Sequence, residues 1–224
     1  MLETKEKQYQ DCINLRNSIG LTNLGYSTAI SYNDDPKRLT FTFSRYKFVA
    51  KMFSGYSNVL EIGCGDGFAS RIVLQEVDNL TAVDFDPVFV DDVNQNMQNN
   101  WYFDCFVHNI LESSVKSKYF DGIFSLDVLE HIEPKDENTF MKNLTNSLKS
   151  NGSAIIGMPS INSQVYASPR SKEGHVNCKS ENELKSLMEK YFNNVFIFSM
   201  NDEVVHTGFH PMSQYFLALC CYPK

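Results

Sequence analysis

The spacing of apolar positions changes repeatedly along this chain, and each change predicts an element. Short apolar runs at 59–62, 80–84, 120–127 and 153–158 have the length of strands buried on both faces. A further strand falls within 101–108, and two more are expected at 195–199 and about 214–221. Between these runs the spacing lengthens to three and four. Phe48, Val49, Met52 and Phe53 predict a helix over 44–53, and another is expected over 67–77. Asp86 and Pro87 are an N-cap and first-turn pair for a helix reaching about Asn99. Phe140, Leu144 and Leu148 share one face of a helix over 136–149, stopped by Asn151 and Gly152. Ser180 and Glu183 form a capping box ahead of Leu184, Leu187, Met188, Tyr191 and Phe192. Strands alternating with helices predict an α/β fold, a doubly wound, mostly parallel sheet with helices on both faces. Residues 1–43 are polar and irregular, with a turn at Asn33–Pro36. They read as an N-terminal extension, partly helical, over the active-site mouth of a single domain at 44–224.

The first strand breaks into Gly63, Gly65 and Gly67, and the second ends in Asp84. A strand, a glycine-rich turn, a helix and a strand tipped by an acid suit a nucleoside. Glycines let the main chain approach a ligand where a Cβ would collide. The acid can accept two hydrogen bonds from vicinal ribose hydroxyls. A dinucleotide fingerprint, G-x-G-x-x-G, would need glycine at 68, where Phe68 stands.

The pattern Glu61-x-Gly63-x-Gly65-x-Gly67 resembles motif I of the class I S-adenosylmethionine (SAM) dependent methyltransferases, and the likeness runs from about residue 44 to the C-terminus. The resemblance implies a Rossmann-like methyltransferase fold with a seven-stranded sheet, last strand antiparallel, and SAM as cofactor. It implies that Gly63, Gly65 and Gly67 line the cofactor, with Cys64 and Phe68 in the same loop. Cys64 itself reads as a small side chain that packs, since SAM chemistry needs no protein nucleophile. Asp84 would hold the ribose, with Asp86 at the same strand end, and Glu61 would lie near the amino group. Asn109 stands where relatives have an aspartate for the adenine amino group; Phe85 and Ile110 would wall the adenine. Arg45 would reach the SAM carboxylate, and Asp127 would complete the cofactor set.

Asp127, Glu130 and His131 lie at i, i+3 and i+4, so on a helical turn they share one side. His175 follows in a polar loop. This looks like the acid-x-x-Glu-His plus distant histidine of two methyltransferase groups, those of ubiquinone biosynthesis and of small-RNA 2′-O-methylation. It implies a metal set of Asp127, Glu130, His131 and His175 for Mg²⁺ or Mn²⁺. In metal-free relatives the Glu is structural and the His lines the pocket. Without metal, His131 or His175 becomes the general base. The 199–211 connection brings His206 and His210 toward the acceptor. The 159–179 stretch reads as a lid whose Arg170 and Lys172 could hold an anion. Tyr26, Tyr46 and Phe209 are candidate cation–π partners of the sulfonium.

Composition narrows the functions. With 224 residues, 42% hydrophobic and 21% charged, the chain suits one soluble domain with a sizeable core. A net charge of -7 without a basic cluster argues against a large nucleic-acid surface. No apolar run has the length of a membrane span, and Met1–Lys5 opens no signal peptide. Six cysteines without a C-x-x-C pair read as reduced thiols of a cytoplasmic protein. The expectation is a SAM-dependent O-methyltransferase of a small polar acceptor: a sugar, a phosphate derivative or a quinone precursor. The alternatives are an NAD-dependent oxidoreductase, a non-catalytic SAM-binding interaction protein, and a nucleic-acid or protein methyltransferase. The last is disfavoured by the acidic charge and by the lack of an appended recognition domain, and the nitrogen-methyltransferase motif N/D-P-P-Y/F is missing after the fourth strand. Oligomeric state is not legible.

Overall fold

The computed structural model describes residues 3–97 and 101–224. Met1, Leu2 and the expected helix end at Asn99 lie outside the described residues. In chain order the elements are α1 (Gln10–Ile19), α2 (Tyr26–Asp34), α3 (Lys37–Met52), β1 (Asn58–Ile62), α4 (Ser70–Leu74), β2 (Asn79–Asp84), α5 (Pro87–Gln95), β3 (Asp104–Val107), β4 (Phe120–Leu126), α6 (Glu137–Ser147), β5 (Leu148–Pro159), α7 (Pro169–Gly174), α8 (Glu181–Tyr191), β6 (Phe192–Asn201), β7 (Val204–His206) and β8 (Tyr215–Pro223). The strands form one sheet in the order β3-β2-β1-β4-β5-β8-β6-β7. β3, β2, β1, β4 and β5 are parallel; β8 runs antiparallel to β5 and β6, and β7 antiparallel to β6.

This is the expected α/β sheet with one strand more. β6 continues to Asn201, Asp202 takes φ 50, and the chain folds back so that Asn201 pairs with Val204. The 199–211 connection therefore opens as a hairpin arm. Two boundaries moved for local reasons. Gly67 has φ 60, opposite in sign to a helix, so α4 opens at Ser70 instead of 67. Leu148 is extended and pairs with Phe120, so α6 stops at Ser147 instead of Lys149. α3 runs unbroken through residues 43 and 44.

Alternation along the central strands fills two cores. Val59, Phe124 and Ile155 enter one with Val49, Phe53 and Val73; Leu60, Ile123 and Ile156 enter the other with Phe140, Leu144 and Leu184. With both faces covered, the sheet leaves its carboxyl edge for ligands. That edge gathers the glycine turn after β1, Asp84 at the end of β2, Asp127 after β4 and Pro159 at the end of β5.

Candidate active site

The chain leaves β1 with Gly63 at φ 79, and a Cβ there would stand 2.3 Å from Val128 Cγ2. Only glycine fits that turn. A Cβ on Gly65 would meet only Ser27 Oγ, at 3.7 Å, so this glycine carries the open floor of the cradle. Asp84, 7% exposed, ties the floor to β2: its Oδ2 accepts from the Gly65 amide at 2.9 Å and its Oδ1 from the Asp86 amide at 3.0 Å. Asp86 in turn accepts from the Val88 amide as the N-cap of α5.

Beneath the turn lies Glu61, 1% exposed. Tyr46 Oη donates to its Oε1 at 2.6 Å, while Oε2 has no hydrogen-bond partner. Burial pushes the Glu61 carboxyl up to about 7. The Ser70 hydroxyl adjoins this carboxyl and, with Tyr46, offsets part of that rise. A buried acid with an unused oxygen under an open glycine floor is prepared for a polar ligand group.

Several residues expected at the cofactor are engaged elsewhere. Phe68 stacks on Phe43 with centroids 6.0 Å apart, in a pocket behind the turn. Cys64 is buried with Sγ 3.9 Å from Cys105 Sγ; that contact and burial push its thiol far up, away from the thiolate form. Asn109 Oδ1 accepts from the Leu111 amide at 3.0 Å and its Nδ2 donates to Glu112, so its amide organises its own turn. Ile110 belongs to the core. Phe85, 73% exposed, is the apolar face left available at the end of β2.

Arg45 does not stand free to meet a ligand carboxylate. Its Nη1 donates to both oxygens of Asp127, and its guanidinium lies 3.8 Å over the Tyr215 ring. Asp127 sits at φ 57, a left-handed backbone uncommon outside glycine. Ion pairing thus takes Asp127 out of the expected metal set. The other three members do gather: Glu130, His131 and His175 each offer a ligand atom within 4.8 Å of the others. His131 Nδ1 donates to the Gly174 carbonyl at 2.8 Å, and His175 Nδ1 to Gln164 Oε1 at 2.7 Å. Each bond leaves the Nε2 as the lone-pair nitrogen. Glu130 is 1% exposed, its Oε2 is unpartnered, and burial holds its carboxyl well above the usual range. His175 is held below the ordinary imidazole value by burial and then by His131.

A cavity of about 290 Å³ opens beside His175, walled by Phe41, Arg45, Gln164, Tyr166 and Tyr215 among others. The 159–179 segment supplies one wall, through Ser163, Gln164 and Tyr166. Arg170 and Lys172 do not border it, and Lys172 Nζ donates to the Val165 carbonyl. Neither do the two later histidines. His206 Nε2 bonds Asn201 Oδ1 and its Nδ1 accepts from Gly208, closing the β6–β7 hairpin. His210 Nδ1 bonds the buried Ser199 hydroxyl at 2.7 Å. Tyr26 and Phe209 are exposed, and Tyr46 is committed to Glu61.

Sequence reasoning missed Asp66, Gln164 and Tyr215. Asp66 accepts four hydrogen bonds, three of them from Ser27 and Thr28 of α2. Its place between two glycines of the turn was the available signal.

Residues 60–156 match the family model described as a methyltransferase domain. A ubiquinone biosynthesis O-methyltransferase of Rickettsia felis is 25% identical over 141 residues, 61% of this chain and 55% of that protein. The mitochondrial ubiquinone biosynthesis O-methyltransferase of Schizosaccharomyces pombe is 30% identical over 108 residues, 46% of this chain and 38% of that protein. The chain thus spans about half the length of the curated relatives it matches. Among solved structures, N-methyltransferase NodS from Bradyrhizobium japonicum WM9 in complex with S-adenosyl-L-homocysteine (SAH) aligns with a TM-score of 0.67 at 19% identity, covering 98% of this chain and 100% of that one. A SAM-dependent methyltransferase from Archaeoglobus fulgidus aligns with a TM-score of 0.66 at 17% identity, covering 89% and 100%. These structural likenesses establish the fold.

Proposed function

We propose that this chain, a member of the class I SAM-dependent methyltransferases, methylates an oxygen of a small polar acceptor bound beside His175. The observation that carries this is the adjacency of two spaces at one sheet edge. The open glycine floor bracketed by Asp84 suits the nucleoside, and the cavity walled by His175 and Tyr215 suits the acceptor. The cradle fits the cofactor by its own chemistry: a bare Gly65, a carboxylate at the end of β2 and a buried acid with an unused oxygen. When bound, SAM supplies an activated methyl group and a neutral thioether leaving group.

The residues supply alignment and proton control. Holding acceptor and methyl in line removes about 7–11 kcal/mol of barrier where the geometry is good. His175, kept neutral near pH 7 by its burial, can take the hydroxyl proton through its Nε2. Gln164 fixes that tautomer. The names of the curated relatives favour oxygen over nitrogen and a quinone precursor among the acceptors. A cytoplasmic setting fits the six free thiols, and among the described residues no helix is long and apolar enough to cross a membrane.

Calorimetric titration with SAH and with NAD separates the two cofactor classes, and heat from NAD alone would end this reading. SAH binding without turnover on a panel of hydroxyl acceptors would point to a SAM-binding interaction protein instead.

The cluster of Glu130, His131 and His175 favours a second role for the same histidines, as ligands of Mg²⁺ or Mn²⁺. The donors fit: one carboxylate oxygen lacks a partner, and both imidazoles are oriented through Nδ1. Three protein ligands leave positions for acceptor oxygens, and the ion would act as a Lewis acid. Activity lost in EDTA and restored by Mn²⁺ supports this role; full activity in chelator leaves His175 as a base.

A further inference from the structure

We propose that residues 23–28 form a strap that retains the cofactor, and that Asp66 is the positioning residue that latches it. This rests on the methyltransferase reading above. Asp66 lies within the glycine turn and is only 7% exposed. Its Oδ2 accepts from Ser27 Oγ at 2.8 Å and from the Thr28 amide at 2.7 Å. Its Oδ1 accepts from Thr28 Oγ1 at 3.0 Å and from the Phe68 amide at 3.2 Å. Among the described residues no cation lies within ion-pair distance of Asp66. Its charge is met by donors of the strap and of its own turn.

Two further contacts hold the strap down. The Tyr26 amide donates to Asp92 Oδ2 at 3.1 Å, and Asn23 Nδ2 donates to Asn96 Oδ1 at 3.0 Å. Gly25, at φ 83, brings the backbone so near that a Cβ would stand 2.5 Å from Asp66 Cβ. Ser27 Oγ is the atom nearest to a side chain placed on Gly65, so the strap roofs the open floor of the cradle.

The hold is polar. α1 and α2 bury no residue fully, and in and beside the strap only Leu24 and Ala29 are half-buried apolar side chains, so polar contacts carry most of the hold. A covering element held by a few hydrogen bonds opens more readily than one held by a core, as cofactor exchange requires. Phe68 and Thr28 share the Asp66 carboxylate, so ordering the turn and ordering the strap are one event. By linkage, a ligand that orders the turn orders the strap, and loosening the strap weakens the ligand.

The test uses the full chain and SAH, with stopped-flow displacement for the dissociation rate and steady-state kinetics for SAM. Asp66→Ala removes the latch from the turn side; Gly25→Ala leaves the Asp66 carboxylate in place and forces the strap away from it, because the added Cβ would collide with Asp66. Both should release SAH about tenfold faster and raise KM for SAM about tenfold, the order of one charge-assisted hydrogen bond, with kcat within about twofold. In the wild type, SAH should slow hydrogen exchange of the Thr28 amide. Wild-type SAH release in Gly25→Ala, or a Thr28 amide indifferent to SAH, overturns the strap and leaves the methyltransferase reading standing. If the wild type binds no SAH, the methyltransferase reading goes first and the strap with it. Should Asp66→Ala not fold, Gly25→Ala and the exchange measurement decide.

Discussion

Arg45 and Asp127, 82 residues apart in the chain, meet through two hydrogen bonds of 2.7 and 3.0 Å from a single guanidinium nitrogen. Asp127 makes this contact from a left-handed backbone at φ 57, and its amide donates to Gly157. The pair joins α3 to the end of β4, between the glycine turn and the acceptor cavity. Non-glycine residues hold such angles only where the surroundings over-determine them.

Replacing Asp127 separates the strain from the pairing. Asp127→Ala loses the pair and keeps the strained φ; Asp127→Gly loses the pair and relieves the strain. The glycine variant should be more stable than the alanine variant by roughly 1 kcal/mol. Urea unfolding measures the difference, and equal midpoints would mean that the backbone at 127 stores no strain. The Asp127 side chain is 42% exposed, so the lost ion pair is worth less than its short distance suggests.

Asp84→Asn should weaken SAH binding by about 10- to 100-fold, the range for a lost charge-assisted hydrogen bond. The variant keeps one carbonyl for the Gly65 amide and loses an acceptor for ribose. Calorimetry reads the affinity directly. An unchanged constant would remove Asp84 from the cofactor site.

Local signals were the readable ones. The capping box of Ser180 and Glu183 and the N-cap of Asp86 are both present, because each is decided within four residues. The glycine turn and Asp84 were legible because positive φ and close approach demand particular residue types. What stayed hidden depends on distant partners. Nothing near Arg45 in sequence announces Asp127, and nothing near Asp66 announces Ser27. His206 and His210 carried chemistry-bearing side chains, yet Asn201 and Gly208 consume both nitrogens of His206 and Ser199 takes Nδ1 of His210. β7 was missed because three residues are too few to show a period.

Glu61 makes stability depend on pH. Its folded value, about 7, lies above the ordinary 4.5, so the native state holds a proton that the unfolded chain releases. The contribution is complete below about pH 4.5 and is lost as pH rises through about 7; it is on the order of 3 kcal/mol. Glu61→Gln should flatten this part of the profile, with the wild type losing more of its urea midpoint between pH 5 and 8 than the variant. Parallel profiles would show that Glu61 does not retain its proton.

His175 decides the acid limb of activity. A base must be neutral to accept the acceptor's proton, and burial together with His131 lowers the His175 value below the ordinary 6.5. Activity should therefore survive below pH 6.5 and fall only at more acid pH. His175→Gln leaves a side chain near Gln164 but no titrating nitrogen. It should lower kcat by about 10²- to 10⁴-fold, the usual worth of a general base, and remove the acid limb. The metal role gives the same loss of kcat by another route, and Glu130→Gln tells them apart. Glu130 is buried and favours its neutral form, so an amide of equal shape should leave folding nearly intact. As a ligand, Glu130 must first release its proton, so metal-supported activity should rise with pH and vanish in Glu130→Gln. If His175 acts as the base alone, Glu130→Gln should retain most of the activity with the acid limb in place. A variant at Glu130 that kept full activity while EDTA still abolished it would contradict both assignments.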